Sequence, residues 1–370
     1  MSGIVLHHYP MPTFSEKVRL ALGLKGLAYR QVIVPIISPK PDQVALTGGY
    51  RRAPVMQIGA DIYCDSHLIL QRLEAMQPEP PLFPDGCRGQ ASALAWWAER
   101  QVFMPALGFI ARVNAPIYPE DLVRERNDFG YTFGAAAEPV FQRNVQQFNA
   151  HGLWLRQMLA DGRPFLLGDR VSAADLGAYP AIWFLRQWGG AHNGQWLAIE
   201  ALTPWVERVA AIGHGRPSDI TGAEAIRLAA EAVPDMAEVP AGPDRSGLRV
   251  GAWVTGTPDD VGRDPVGGLL MGADDERVVI RRTDPRAGIL HVHFPRGLRC
   301  HGDGRGRRPP LSRPAILAAC LNGGRPGAAA LHPHLPVAAA DAAAGPHPPM
   351  RDPATGLPAM PEEARDHPRR

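Results

Sequence analysis

Cysteine is scarce in this chain of 370 residues. The four present, Cys64, Cys87, Cys300 and Cys320, form no CxxC pair and no metal-ligand spacing. A disulfide framework, a zinc site and a thiol redox centre therefore find no support, and a reducing compartment is the simplest expectation. No apolar run reaches the ~18 residues that a membrane-spanning helix needs. Neither charge sign dominates: 39 Lys and Arg against 37 Asp and Glu leave a formal net charge of +2. That balance offers no electrostatic footprint for nucleic acid or an anionic membrane. The opening MSGIVLHHYP has neither the basic stretch nor the apolar core of a secretory signal. A cytoplasmic protein without nucleic-acid or membrane partners is expected.

With 45% hydrophobic residues the chain can bury a substantial core, and its length suits two or three domains. Ile4 to His8 reads as a buried strand. A helical pattern begins at Thr13, with Phe14, Val18, Ala21 and Leu22 on one face. Thr13 and Glu16 have capping-box spacing, and Gly26 supplies the stop. Gln31 to Ile37 reads as a second strand, followed by a Pro- and Gly-rich loop to Gly49. Pro54 to Ile58 and Ile62 to Cys64 read as two strands joined by a turn at Gly59–Asp61, and Ser66 to Met76 as a helix. Residues 1–77 thus form a compact α/β unit. A proline-rich linker covers 78–89. Residues 90–230 form a helical domain, whose clearest start is Ser172 with Asp175 as a capping box stapled by Val171 and Leu176. Pro180 is expected to bend or shorten that helix. Short strands over 245–296 suggest a small all-β module.

From 297 to 370 Ala, Pro, Gly, Arg and His dominate and apolar periodicity disappears. Two explanations fit that composition: a disordered tail, or translation of a GC-rich gene in a shifted frame.

Phe14-Ser15-Glu16-Lys17-Val18-Arg19-Leu20-Ala21-Leu22, then Arg52-Ala53-Pro54-Val55-Met56, then Asp65-Ser66 opening a helix, resemble in order and spacing the N-terminal domain of cytosolic glutathione transferases. Gly168-Asp169 followed by Ser172-Ala173-Ala174-Asp175 resembles the capped helix of that family's C-terminal domain. The resemblance covers about 1–214. It implies an α+β architecture, a thioredoxin-like domain followed by an all-α domain. It also implies glutathione as co-substrate, a small hydrophobic electrophile as second substrate, and conjugation or reduction through the thiolate. The alternative is a glutathione-binding or protein-interaction module that kept the fold without the chemistry. Whether the chain pairs into a homodimer stays open.

The same resemblance implies residue roles. Pro54 is the cis-proline, Val55 pairs main chain to main chain with the tripeptide, and Asp65 and Ser66 hold the γ-glutamyl end. Lys40 is a partner for the glycyl carboxylate by position. Read without the family, Asp65-Ser66 is an ordinary helix cap and Pro54 a trans turn proline. The family's serine or cysteine that activates the thiol falls on Pro12, which has no hydroxyl, thiol or N–H to offer. Thr13, Tyr9 and Ser15 are the nearby hydroxyls that can replace it, in that order of preference. Trp96, Trp97, Phe103, Tyr118, Phe129 and Tyr131 are candidates for core or for the electrophile pocket. His7 and His8 read as structural, and His291 with His293 as too few ligands for a metal.

Overall fold

The computed structural model describes residues 3–9, 11, 13–241 and 247–296, and the main chain of 299–302. Pro12 and most of the tail expected from 297 lie outside the described residues; 299–302, expected to belong to that tail, instead form a strand.

The N-terminal unit follows the expected order. Strand β1 (Ile4–His8) leads into helix α1 (Thr13–Leu24), then β2 (Ala28–Ile33), α2 (Pro41–Thr47), β3 (Val55–Ile58), β4 (Asp61–Cys64) and α3 (Ser66–Met76). β1 is parallel to β2 and antiparallel to β3, and β3 is antiparallel to β4. Two expectations need correction. β2 ends at Ile33 rather than Ile37, and the loop read through Gly49 contains α2. That helix opens with Pro41 at its first turn and closes on Gly48 at φ +83°. It is a single short amphipathic stretch, too brief to display a period.

Seven helices follow: α4 (Arg88–Trp97), α5 (Phe103–Val113), α6 (Glu120–Asp128), α7 (Phe141–Met158), α8 (Ala173–Trp188), α9 (His192–Trp196) and α10 (Thr203–Ala210). A π-helical turn at Ala98–Val102 joins α4 to α5. The capping box forms as read: the Ser172 hydroxyl accepts from the Ala174 amide, and Asp175 Oδ2 accepts from the Ser172 amide at 3.0 Å. Pro180 does not shorten α8, which continues eight residues past it. Every residue from Ala173 to Ile182 is buried, so packing on all sides outweighs the lost backbone bond.

The chain then returns to the first sheet. β5 (Arg216–Asp219) pairs parallel to β2, and α11 (Gly222–Ala230) packs on α2. β6 (Trp253–Thr257), β7 (Val266–Ala273), β8 (Arg277–Asp284) and β9 (Gly288–Pro295) form an antiparallel meander, with β10 (Arg299–Gly302) beside β6. This meander is not a separate module. β9 pairs parallel to β4, which gives one ten-stranded sheet in the order β10-β6-β7-β8-β9-β4-β3-β1-β2-β5. A shared core confirms the continuity: Leu46, Val55, Ile62 and Cys64 pack with Val254, Leu270, Ile280 and Phe294. At the seam, buried His293 bonds to Asp61 at 2.9 Å and stacks on Tyr63 at 4.3 Å.

Candidate functional site

The turn before β3 and the start of α3 define the site. The Ala53–Pro54 peptide is cis, as the resemblance implies. Asp65 sits at φ +85°, a left-handed conformation unusual outside glycine, and its Oδ1 accepts from the His67 amide at 2.8 Å. It therefore caps α3. That conformation turns the chain sharply out of β4 and brings Ser66 to the first helical position, where free N–H groups and the helix dipole favour an anion.

Ser66 has a partner that its sequence neighbourhood does not suggest. Lys17 Nζ donates to Ser66 Oγ at 3.2 Å and to Glu99 Oε1 at 2.6 Å. The Lys17 side chain is 1% exposed. Since the Ser66 oxygen accepts from Lys17, its own proton is free for a ligand carboxylate. Glu99 lies on the π-helical turn, and burial raises its carboxyl above the usual range despite the nearby ammonium. One ion pair thus ties the helical domain to α1, and Lys17 carries the link on to the start of α3.

Val55 is misplaced for its assigned role. It pairs with His7 of β1 on one side and Cys64 of β4 on the other. An inner strand has no open edge for an added peptide. The residue before the cis bond, Ala53, lies outside any strand and is half-buried.

Among the candidate hydroxyls, Thr13 is the first residue of α1 rather than its cap, and it is buried. The capping box read there does not form, because Glu16 holds Arg19 and His214 instead. Ser15 is completely buried and its Oγ has no hydrogen-bond partner among the described residues. Tyr9 is half-buried and packs in the same cluster as Ala53. Its oxygen accepts from Arg126 Nη2 at 3.2 Å, which leaves the phenolic proton available.

Lys40 stands over the Tyr9 ring at 5.3 Å and donates to the Arg51 carbonyl at 3.2 Å. Burial, with Arg126 and Arg51 nearby, lowers its ammonium to about 8. Arg52, two positions before Pro54, donates through Nη2 to Asp260 and to the Val261 carbonyl, both on the β6–β7 loop.

The aromatic candidates divide. Phe103 packs edge-on to Phe14, Tyr118 lies against Phe133, and Trp97 stacks on Trp154. Phe129 and Tyr131 neighbour residues of the Pro54 turn and Tyr9: Arg51 covers the Phe129 ring, and burial with Tyr9 close by pushes the Tyr131 hydroxyl up to about 12. Trp96 is half exposed beneath Arg100. His7 and His8 are buried on Gln57 and Gln31, and burial lowers both to about 4, so they are neutral and structural. Among the described residues no cluster of His, Cys, Asp and Glu is arranged to hold a metal, and no helix is long and apolar enough to cross a membrane.

Comparison with known proteins agrees with this geometry. Residues 6–81 match the glutathione S-transferase N-terminal domain and residues 138–230 its C-terminal domain. FtsZ-localized protein A of Caulobacter vibrioides is 24% identical over 54% of this chain and 83% of its own length. Maleylacetoacetate isomerase of Pseudomonas aeruginosa is 25% identical over 58% of this chain and 92% of its own. The crystal structure of a GST-like protein from Pseudomonas syringae superposes with a TM-score of 0.65 at 35% identity, covering 82% of this chain and all of that one. That coverage extends well past the two matched domains, and at such identity over a complete relative the agreement reaches beyond shared architecture: this chain belongs to the glutathione S-transferase family.

Proposed function

We propose that the chain binds glutathione between the Ala53–Pro54 turn and the start of α3, and transfers its thiolate to a small electrophile. The observation that carries this reading is Ser66 at the first position of α3, whose hydroxyl oxygen accepts from buried Lys17 and keeps its own proton for a ligand carboxylate. The γ-glutamyl carboxylate lies on the α3 N-terminus and Ser66, its ammonium on Asp65, and the cysteinyl main chain along Ala53. A glutathione thiol of ordinary pKa, about 8.5, is mostly protonated at neutral pH. Tyr9 donates its phenolic proton to the sulfur while Arg126 holds the phenolic oxygen from the other side. Thr13 and Ser15 are less suited because their hydroxyls are buried in α1. Phe129 and Tyr131 line the approach of the electrophile.

The second reading is binding without turnover, favoured by Pro12 at the family's serine or cysteine position. The similarity to a protein named for its localisation with FtsZ belongs with this reading. Calorimetric titration with glutathione, followed by a thiol-conjugation assay, separates the two. Ser66→Ala is expected to weaken binding by about 1–3 kcal/mol, the scale of a hydrogen bond to a charged group. Tyr9→Phe is expected to leave affinity unchanged and raise the pKa of the bound thiol, read from thiolate absorbance across pH. Unaltered affinity in Ser66→Ala removes the site. Binding with no conjugation selects the second reading.

A further inference from the structure

The β6–β7 loop, residues 258–265, lies in neither of the two family-matched segments. It is fastened by three arginines, two from the segment before Pro54 and one from the helical domain. Arg51 Nε donates to Asp264 Oδ2 at 2.6 Å. Arg52 Nη2 donates to Asp260 and the Val261 carbonyl. Arg100, from the helical domain, stands 3.6 Å from Asp259 and 3.7 Å from Asp260. At its tip the Gly262 amide donates to the Phe129 carbonyl at 2.7 Å. Gly262 is at φ +56°, and a Cβ there would collide with the Phe129 ring, so only glycine brings the loop this close.

The Arg52 guanidinium is only half used. Nη2 carries both loop acceptors, while Nε is buried and has no hydrogen-bond partner among the described residues. The Nε–Nη2 edge is the fork that grips a carboxylate with two parallel bonds. Asp260 engages it through Nη2 alone, and its side chain remains 32% exposed. Arg52 immediately precedes Ala53, the residue before the cis bond, so its guanidinium is carried by the same segment that the tripeptide takes in the reading above.

We propose that Asp260 is an internal stand-in for the glycyl carboxylate of glutathione. The β6–β7 loop is a strap that occupies Arg52 in the free protein and is displaced when the tripeptide takes the Nε–Nη2 fork. Arg51 and Arg100 hold the strap nearby, so displacement is local. This rests on the glutathione-binding reading above.

The test compares the full chain with Asp260→Asn by glutathione calorimetry, and follows hydrogen exchange of segment 258–264 in the unmodified protein. Asp260→Asn is expected to tighten glutathione binding by roughly two- to fivefold, the scale of one partly exposed ion pair. It should leave affinity for γ-glutamylcysteine, which lacks the glycyl carboxylate, unchanged. Glutathione should speed exchange of the Gly262 amide. The exchange measurement needs no variant and decides the matter if Asp260→Asn does not fold. Equal or weaker glutathione binding in Asp260→Asn, or exchange of the loop that is unchanged or slowed by glutathione, overturns the strap while leaving the binding site intact. Failure of both proteins to bind glutathione overturns the underlying reading instead.

Discussion

Buried Lys17 decides how Ser66 presents itself. Its ammonium donates to the Ser66 oxygen and is neutralised by Glu99, 82 residues away. Removing one member of a buried pair leaves an uncompensated charge, which is worse than removing both. Lys17→Met is expected to destabilise the fold by about 3 kcal/mol. The double variant Lys17→Met/Glu99→Leu should recover most of that loss, yet still bind glutathione more weakly because the Ser66 hydroxyl is no longer oriented. Urea unfolding and calorimetry on both variants check the two halves separately. Equal affinity in the double variant and the unmodified chain would show Lys17 to be purely structural. Pro54, Asp65 and Ser66 are legible in the sequence because each sits in a short, ordered motif. Lys17 is not, since an amphipathic helix gives no sign that one of its cations is sealed inside. Arg52 and Arg126 were equally invisible, because their partners come from distant segments.

At the level of elements, local chemistry and long-range pairing part ways. The start of α8 was fully readable, because Ser172 and Asp175 are only three residues apart. What the sequence does not reveal is how much else the carboxylate holds: Asp175 Oδ1 also accepts from the Leu166 amide at 2.8 Å and from Trp205 Nε1 at 2.9 Å. Asp175→Ala would leave several buried donors unpaired, each worth about 1–3 kcal/mol. A fall in Tm by many degrees is expected, with unchanged glutathione affinity in whatever protein remains folded. Normal stability with lost binding would place Asp175 in the site. β5 escaped notice for the opposite reason. All its residues are exposed and it contains Pro217, so it has no alternation to detect, and only its pairing with β2 makes it a strand.

For the molecule as a whole, the sheet overrides the division into domains that composition suggests. Strands β7 to β9 are recognisable as short runs between turns rich in Gly, Pro and Asp, but not their attachment to β4, because pairing register between segments so far apart leaves no trace in either one. The same seam predicts the result of truncation. A chain ending at residue 240 would bare the edge of β4 and strip Val254, Leu270, Ile280 and Phe294 from the core they share with Val55 and Ile62. Such an edge templates self-association. The truncated protein is expected in the insoluble fraction, or as large aggregates by size-exclusion chromatography. A soluble monomer with native circular dichroism would contradict the continuity of the sheet.

The seam also imposes a schedule. His293 is synthesised 232 residues after Asp61. At about 5–20 residues per second, a ribosome needs roughly 10–50 s to cover that distance. During that interval helices α3 to α11 are made in turn while β4 stands without its neighbour. A nascent chain of this protein therefore carries an adhesive edge for longer than most small domains take to fold, and a holding chaperone has its natural task between the synthesis of α3 and that of β9.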